Sequence, residues 1–474
     1  METNPRPLCV DLDGTLIHTD LLVESGLALI HRNPLFIVAM IWWLFQGRVV
    51  LKREIARRTQ IRTDLLPYHK ELLAWLREEA THRPLILVTA THQSIASGVV
   101  DHIGIFSELI ATDDTANVSG REKARRLVAR FGERGFDYAG NHRVDIHVWE
   151  HAHEAIVISN SPRLREEAAR AAQTTRTFDT HQLTPRVWLK ALRLHQWIKN
   201  ALIFIPLLAS HRVFEREAVI ASVIAFLSFG LCASGVYLLN DLLDLDADRA
   251  HRTKRNRPFA SGRMNLLWGM VATPLLTLAA FALALTTLPP AFAWLLLAYL
   301  AATLAYSFKI KRVEVLDVIT LAALYTVRII GGTFAIGSPL SFWLLAFSVF
   351  IFLSLAILKR CVELEVALRK GVTAIAGRAY TTDDLPVIQP MGVASGYLSV
   401  LVLALYINSA ASEQLYRHPA MLWLVCPCLL YWVTRAWLIA HRGKMIDDPV
   451  VFAVTDRTSQ IILAVAGLFA LLSV

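Results

Sequence analysis

Cysteine is scarce in this chain, and the few residues present are scattered. Its 474 residues hold five: Cys9, Cys232, Cys361, Cys426 and Cys428. They make no paired framework and no zinc-ligand spacing, which excludes a disulfide-stapled scaffold and a zinc ribbon. Cys426 and Cys428 flank a proline inside an apolar run and read as packing residues. Nothing at the N-terminus resembles a signal peptide either. Met1 to Pro7 leads straight into a strand-like segment, so the front of the chain is expected to stay in the cytoplasm. Charged residues make up only 18%, against 55% hydrophobic residues and a mean hydropathy of +0.44. That is too apolar for a soluble protein of this length and too charged for a bare membrane bundle. The net charge of +9 does not call for nucleic acid, because anionic lipid and phosphate substrates attract the same cations.

Dividing the chain resolves the contradiction. Residues 1–180 mix charges throughout, residues 181–197 form a linker or interfacial segment, and 198–474 carry long apolar blocks separated by short basic loops. The expected fold class is an α/β front domain joined to an all-α polytopic membrane domain.

In the front domain, Leu8 to Asp13 is an apolar run that ends in two aspartates and is followed by Gly14-Thr15. A buried strand presenting acids at its C-terminal end is the usual seat of chemistry in a parallel α/β sheet. Leu85 to Val88 is a second apolar run, ending in Thr89. Lys123 opens a helix after the Ser119-Gly120 turn, Phe136 to Gly140 leads into Asn141 and Asp145, and Ala155 to Ile158 gives another strand. A helical insertion of about 20–83 takes the position of a small cap. Its segment Leu35 to Phe45 is too short to cross a bilayer. That segment reads either as a buried cap helix or as a surface resting on the membrane interface through Trp42 and Trp43.

Asp11-Leu12-Asp13-Gly14-Thr15, Thr89, Lys123 and Gly140-Asn141-x-x-x-Asp145, in this order, resemble the haloacid dehalogenase phosphatase superfamily. The resemblance implies Asp11 as phosphoryl-accepting nucleophile and Asp13 as general acid/base. Thr89 and Lys123 would hold the phosphoryl group, and Asp11, Asp13, Asn141 and Asp145 would hold Mg²⁺. Asn141 departs from the family pattern, standing where many members have an acid. The chemistry is coherent, since a carboxylate can carry a phosphoryl group while a cation and a metal offset the developing charge.

The back half shows nine apolar segments, at about 198–209, 218–240, 266–285, 288–307, 314–336, 341–358, 389–411, 419–440 and 458–474. Loops after even-numbered segments hold most of the cations. By the positive-inside rule these loops and the front domain share the cytoplasmic side of the inner membrane. Where the second segment ends, Asp241, Asp244 and Asp248 fall at i, i+3 and i+7, on one face of a helix. Three like charges in line at a membrane helix end repel one another unless something positive lies between them. A divalent cation bridging a diphosphate suits that position. The cations that follow (Arg249, Arg252, Lys254, Arg255 and Arg257) would meet the remaining phosphate charge. The fifth segment adds Asp317, Tyr325 and Arg328 within one helical sector, where Arg328 could equally neutralise an acid.

Asn240-Asp241-x-x-Asp244-x-x-x-Asp248, with Tyr306 through Asp317 to Arg328, resembles the UbiA-type prenyltransferase superfamily over about residues 186–474. Arg193 to Asn200, Arg249 to Arg255, Leu358 to Arg360, and the tail Asp447 to Phe452 with Asp456-Arg457 resemble its polyprenyl-phosphate phosphoribosyltransferase branch. That resemblance implies phosphoribosyl pyrophosphate as donor and a polyprenyl phosphate as acceptor, with Mg²⁺ on Asp241, Asp244 and Asp248. Lys199, Asn240, Arg252, Lys254, Arg255, Tyr306, Lys311, Asp317, Tyr325, Arg328, Lys359 and Arg360 are the substrate-binding candidates. A front-domain phosphatase would then remove the ribose 5-phosphate, giving a bifunctional enzyme. Two other functions stay open at this stage. One is an aromatic prenyltransferase using a prenyl diphosphate, with a front domain of separate or regulatory role; the other is a lipid carrier or scaffold without catalysis.

Overall fold

A computed structural model describes residues 5–374, 378–445 and 448–474. The chain divides into two compact units. One comprises residues up to Leu192 together with Tyr237–Thr273, and the other comprises Arg193–Val236 with Pro274–Val474.

The front unit is built on a six-stranded parallel sheet of order β3-β2-β1-β4-β5-β6. The chain runs β1 (Leu8–Val10), α1 (Leu21–Arg32), α2 (Phe36–Gln46), α3 (Arg48–Ala56), α4 (Lys70–Glu79), β2 (Leu85–His92), α5 (Gln93–Ile103) and β3 (Glu108–Thr112). It continues with α6 (Arg121–Phe131), β4 (Asp137–Gly140), α7 (Ile146–Trp149), β5 (Glu154–Ile158), α8 (Pro162–Ala171), β6 (Gln173–Phe178) and α9 (Pro185–Ala191). Alternate strand residues face opposite layers, as a period of two requires. Leu8, Val10, Leu85 and Leu87 join one apolar cluster, while Cys9, Ile86 and Val88 join the other. Both faces of the sheet are therefore covered, and β1 reads as one continuous apolar run. The helical insertion after β1 is present as α1–α4. The parallel sheet with that insertion agrees with the haloacid dehalogenase-like fold.

After α9 the chain enters 3-10 turns over Leu194–Phe204, then α10 (Ile205–Ala209), α11 (Arg216–Leu243), α12 (Leu245–Ala250), α13 (Leu266–Thr287) and α14 (Pro290–Phe308). Next come α15 (Leu316–Ala335), α16 (Phe342–Arg369), α17 (Leu385–Ile407), α18 (Ala410–Leu415), α19 (Val425–His441), α20 (Pro449–Thr455) and α21 (Arg457–Leu472). Among the described residues seven helices are long and apolar enough to cross a membrane, or up to eight if α20 with α21, bent by 77°, counts as one span. The nine expected segments thus correspond to seven or eight such helices. Residues 198–209 do not form a span, because the 3-10 turns and Pro206 at the start of α10 break that stretch into short pieces. This broken stretch packs closely on α15: a side-chain carbon on Gly332 would stand 2.1 Å from the Ile203 carbonyl oxygen. Only glycine permits the approach, and it brings Lys199 and Asn200 against the polar face of α15.

Candidate functional site

In the front unit the candidate side chains gather toward the carboxyl ends of β1, β2 and β4. Lys123, at the start of α6, donates from Nζ to Asp11 Oδ1 at 2.7 Å and to the Tyr138 hydroxyl at 2.9 Å. Tyr138 in turn donates to Asp145 Oδ1 at 3.0 Å. Burial works against the Lys123 ammonium, but Asp11 and Asp145 raise its pKa above the ordinary lysine value, so it stays charged. Asp13 accepts from Thr91 Oγ1 at 2.7 Å, from Thr89 Oγ1 at 3.4 Å and from the Leu21 backbone N–H at 2.8 Å. Burial, then the nearby Asp20 charge, pushes Asp13 up to about 7, where a carboxyl can both give and take a proton near neutrality. Gly14 has φ +75, and a side-chain carbon there would lie 2.1 Å from Asn141 Nδ2, so Asn141 closes directly over the Asp11–Gly14 loop.

Among the described residues no three His, Cys, Asp or Glu side chains gather as a metal cage. At this site Asp145 Oδ2 is already taken by the Asn141 and His142 backbone N–H groups, at 3.0 and 2.9 Å. The donor set nevertheless suits a hard cation, with Asp11, Asp13 and the Asn141 amide meeting at one strand end. The cap supplies a residue that sequence reasoning missed. Lys52 on α3 reaches down to the Ala90 carbonyl and Asn117 Oδ1, both at 2.6 Å, between Thr89 and Thr91 in the chain.

The segment 237–273 belongs to this same unit. α11 ends at Leu243, and Asp244 is the break before α12, so the three aspartates do not lie on one unbroken helix face as expected. Backbone bonds from Asp244 N to Asn240 O and from Asp248 N to Asp244 O keep the spacing nearly helical. Arg257 Nη1 contacts Asp241 Oδ1 at 3.1 Å and Asp248 Oδ2 at 2.6 Å, so one cationic nitrogen already bridges two of the three carboxylates. That geometry fits a bridging cation. Asp244 turns instead toward His31, at 3.9 Å. Arg249 is buried and paired bidentately with Glu24 of α1, which also accepts from Thr19, and Arg249 Nε donates to the Ala260 carbonyl. Arg252, Lys254 and Arg255 are exposed. Arg255 lines a cleft of about 870 Å³ with His18, His69, His181 and Arg263.

In the bundle unit the polar side chains form two clusters. In one, Lys199 Nζ and Lys359 Nζ both donate to Asp448 Oδ2, at 2.9 and 2.8 Å, and the Tyr325 hydroxyl lies 3.3 Å from Oδ1. Arg328 stands beside them, donating to Asn200 Oδ1 at 2.9 Å and to the Tyr299 hydroxyl at 3.1 Å, with its guanidinium 5.7 Å from the Tyr325 ring. In the other cluster Asp317 accepts from Arg360 Nε at 2.5 Å and from the Tyr306 hydroxyl at 2.7 Å. Arg378 Nη1 donates to Tyr306 at 3.0 Å, and Arg360 also pairs with Glu363. Asp317 therefore does not share a cluster with Tyr325 and Arg328. Its neutralising partner is Arg360 from α16, a pairing between helices that a single-helix projection misses.

Asp448 belongs to the tail motif, which does not by itself single it out as a site residue. Its adjacency to a helix start gave no hint that two distant lysines would meet on it. Asp447 lies outside the described residues. Lys311 lies in the 3-10 turn Ile310–Arg312.

The protein y4nM of Sinorhizobium fredii is 38% identical over 456 residues, 96% of this chain and 88% of that one. The decaprenyl-phosphate phosphoribosyltransferase of Mycolicibacterium smegmatis is 38% identical over 187 residues, covering 39% of this chain and 58% of the relative. A solved UbiA homolog from Archaeoglobus fulgidus, bound to GPP and Mg²⁺, is 15% identical with a TM-score of 0.46, covering 60% of this chain and 99% of that one. The model of the UbiA prenyltransferase family matches residues 201–471, more than half of the chain, which makes this integral membrane protein a member of that family.

Proposed function

We propose that this chain carries out two reactions in sequence: transfer of 5-phosphoribose from phosphoribosyl pyrophosphate to a polyprenyl phosphate, then removal of the 5-phosphate. The observation that carries the reading is Lys199 and Lys359 held together on the single carboxylate of Asp448 inside an apolar bundle. Two cations on one anion leave a net positive charge, which in a low-dielectric setting favours an anionic ligand such as a lipid phosphate. The similarity to a decaprenyl-phosphate phosphoribosyltransferase supports the same substrates.

Lys199 and Lys359 take the acceptor phosphate, with Arg328 and Tyr325 beside them. That phosphate is already an anionic nucleophile, so no general base is needed. Its oxygen bonds to the anomeric carbon of the ribose as the bond from that carbon to pyrophosphate breaks. Asp241 and Asp248, with Asp244 as a further oxygen donor, would hold magnesium; Arg252, Lys254 and Arg255 meet the donor's remaining phosphate charge. Bound magnesium supplies neutralisation of the departing pyrophosphate.

In the front unit Asp11 attacks the ribose 5-phosphate. The phosphorus–oxygen bond to the sugar breaks, and Asp13 gives its proton to the leaving oxygen. Water then cleaves the aspartyl phosphate, passing a proton back to Asp13 and releasing inorganic phosphate. Lys123 offsets charge on the phosphoryl group, Thr89 orients it, and Asp11, Asp13 and Asn141 would hold the metal there, with Asp145 fixing the loop. Both sites lie on the cytoplasmic side of the inner membrane on this reading, since the basic loops do.

Purified full-length protein given phosphoribosyl pyrophosphate, polyprenyl phosphate and Mg²⁺ should release pyrophosphate first and phosphate after it. Pyrophosphate release only from a prenyl diphosphate with an aromatic acceptor would replace this reading with aromatic prenyl transfer.

A further inference from the structure

α2 packs one face against α1 and α3 and leaves the rest of its apolar surface open among the described residues. Its 11 residues, FIVAMIWWLFQ, include no charged side chain, and none is buried. Val38 is 68% exposed, Trp42 63% and Phe45 84%, at i, i+4 and i+7 along one stripe. Ile37, Ile41 and Leu44 are also exposed, on the next stripe. Phe36, Ala39, Met40 and Trp43 make a partly covered face, with Met40 against Gly26 of α1, while the two other stripes stay open and no residue of α2 is fully buried, so Leu35 to Phe45 is not a buried cap core. At 1.5 Å per residue it reaches about 16 Å, roughly half of a bilayer's hydrocarbon core, and it cannot cross.

Two features fix what covers it. The first is where the chain enters. His31, in the last turn of α1, lies with Nδ1 2.5 Å from the carbonyl oxygen of Leu243, the final residue of the membrane-crossing helix α11. α2 begins five residues after His31, so the chain leads into it from beside the last residue of α11. The second is charge. Arg32 at the end of α1, with Arg57 and Arg58 at and just after the end of α3, lines a recess of about 470 Å³ at the base of this helix pair. The Arg58 guanidinium lies 4.9 Å above the Trp43 ring, although Glu54 also bonds it. Arg48 and Arg53 add further cations on α3, the helix that returns from α2. An apolar helix bearing tryptophans and flanked by arginines suits the headgroup boundary of an anionic leaflet, with the rings in the acyl region and the guanidinium groups on lipid phosphates.

We propose that α2 is an in-plane membrane anchor, bound to anionic phospholipid in the leaflet where α11 ends. The inference is independent of the two-step reaction. On that reading, the anchor would also hold the phosphatase in the plane where its lipid-linked substrate diffuses.

The test places one nitroxide label at a time on cysteine replacing Val38, Trp42 or Phe45 in the full chain. The labelled protein is reconstituted in vesicles of phosphatidylcholine with phosphatidylglycerol. A label replacing Arg125 on α6 serves as the aqueous reference, and the parent chain, four of whose five cysteines are buried, supplies the background. Collision with oxygen relative to a water-soluble nickel complex should be several-fold higher at all three α2 positions than at Arg125. Nickel access equal to that at Arg125 would overturn the anchor. Low access to both quenchers would overturn it equally, in favour of a covering protein surface. Since the three sites are labelled separately, one variant that fails to fold leaves two to decide.

Discussion

Asp11 and Asp448 are both aspartates held by lysine, yet the balance of charge around them differs. Asp11 faces one buried lysine, Lys123, at 2.7 Å, on rigid strand and helix ends. Asp448 faces two, and Arg328 stands nearby on α15. On the proposed function, a one-to-one pair would leave the carboxylate available as a reagent, with the lysine offsetting charge as a phosphoryl group arrives. A two-to-one gathering would make the carboxylate a spacer that keeps two cations from repelling each other until an anion binds. Asp317 offers a further contrast: Arg360 and Arg378 are opposed by Asp317 and Glu363, so these four charges balance. On the proposed function, residual charge rather than burial alone singles out the Asp448 cluster.

The comparison can be broken in four ways. The largest effect is expected from Asp11→Asn, which removes the proposed nucleophile while keeping its shape. Phosphate release should fall on the order of 10³-fold or more, with pyrophosphate release unchanged, as followed by separate colorimetric assays. Loss of both activities in folded protein would contradict the separation.

Arg360→Met comes next. It leaves Asp317 buried without its main partner, and breaking a buried pair costs roughly 3–5 kcal/mol. Thermal unfolding in detergent should drop sharply and recover when Asp317→Asn is added. A variant that melted normally but lost pyrophosphate release would make the Asp317 cluster a substrate site instead.

Lys199→Met and Lys359→Met should behave oppositely, with little change in melting. Each would forfeit a charge-assisted bond to phosphate of about 1.5–3 kcal/mol, raising KM for polyprenyl phosphate about 10- to 100-fold. An unchanged KM would remove the lipid phosphate from this cluster.

The smallest effect concerns His18. Burial, then His181 and His69, holds its imidazole down to about 4. The unfolded chain, with histidine near about 6.5, takes up the proton first, so stability is lost as pH falls from there toward about 4. The drop in melting temperature between about pH 7 and about pH 5 should be smaller in His18→Gln than in the parent. An equal drop would place the titration elsewhere.

Much of this was legible because the front domain places its candidate residues at strand ends. Asp11, Thr89, Lys123 and Asp145 follow apolar runs or turns, and a parallel sheet brings such ends together. The two strands not read, β3 and β6, are the sheet edges. β6, QTTRTF, is largely exposed and lacks the apolar run that marks an inner strand. In the bundle, residue spacing gave the helices but not their partners. The meetings of Asp448 with Lys199 and Lys359, of Asp317 with Arg360 and of Glu24 with Arg249 cross 43 to 249 positions of sequence. No periodicity within one helix reports such pairings. The break at Asp244 was hidden for a related reason, since the i, i+3, i+7 pattern survives a turn that ends one helix and begins another.

The most direct test of the central claim is mass spectrometry of the lipids made from phosphoribosyl pyrophosphate and polyprenyl phosphate by the parent protein and by Asp11→Asn. The parent should yield polyprenyl-phosphoryl-ribose, and the variant should stop at the form that still carries the 5-phosphate. The same lipid from both proteins, or no ribosylated lipid from either, would contradict it.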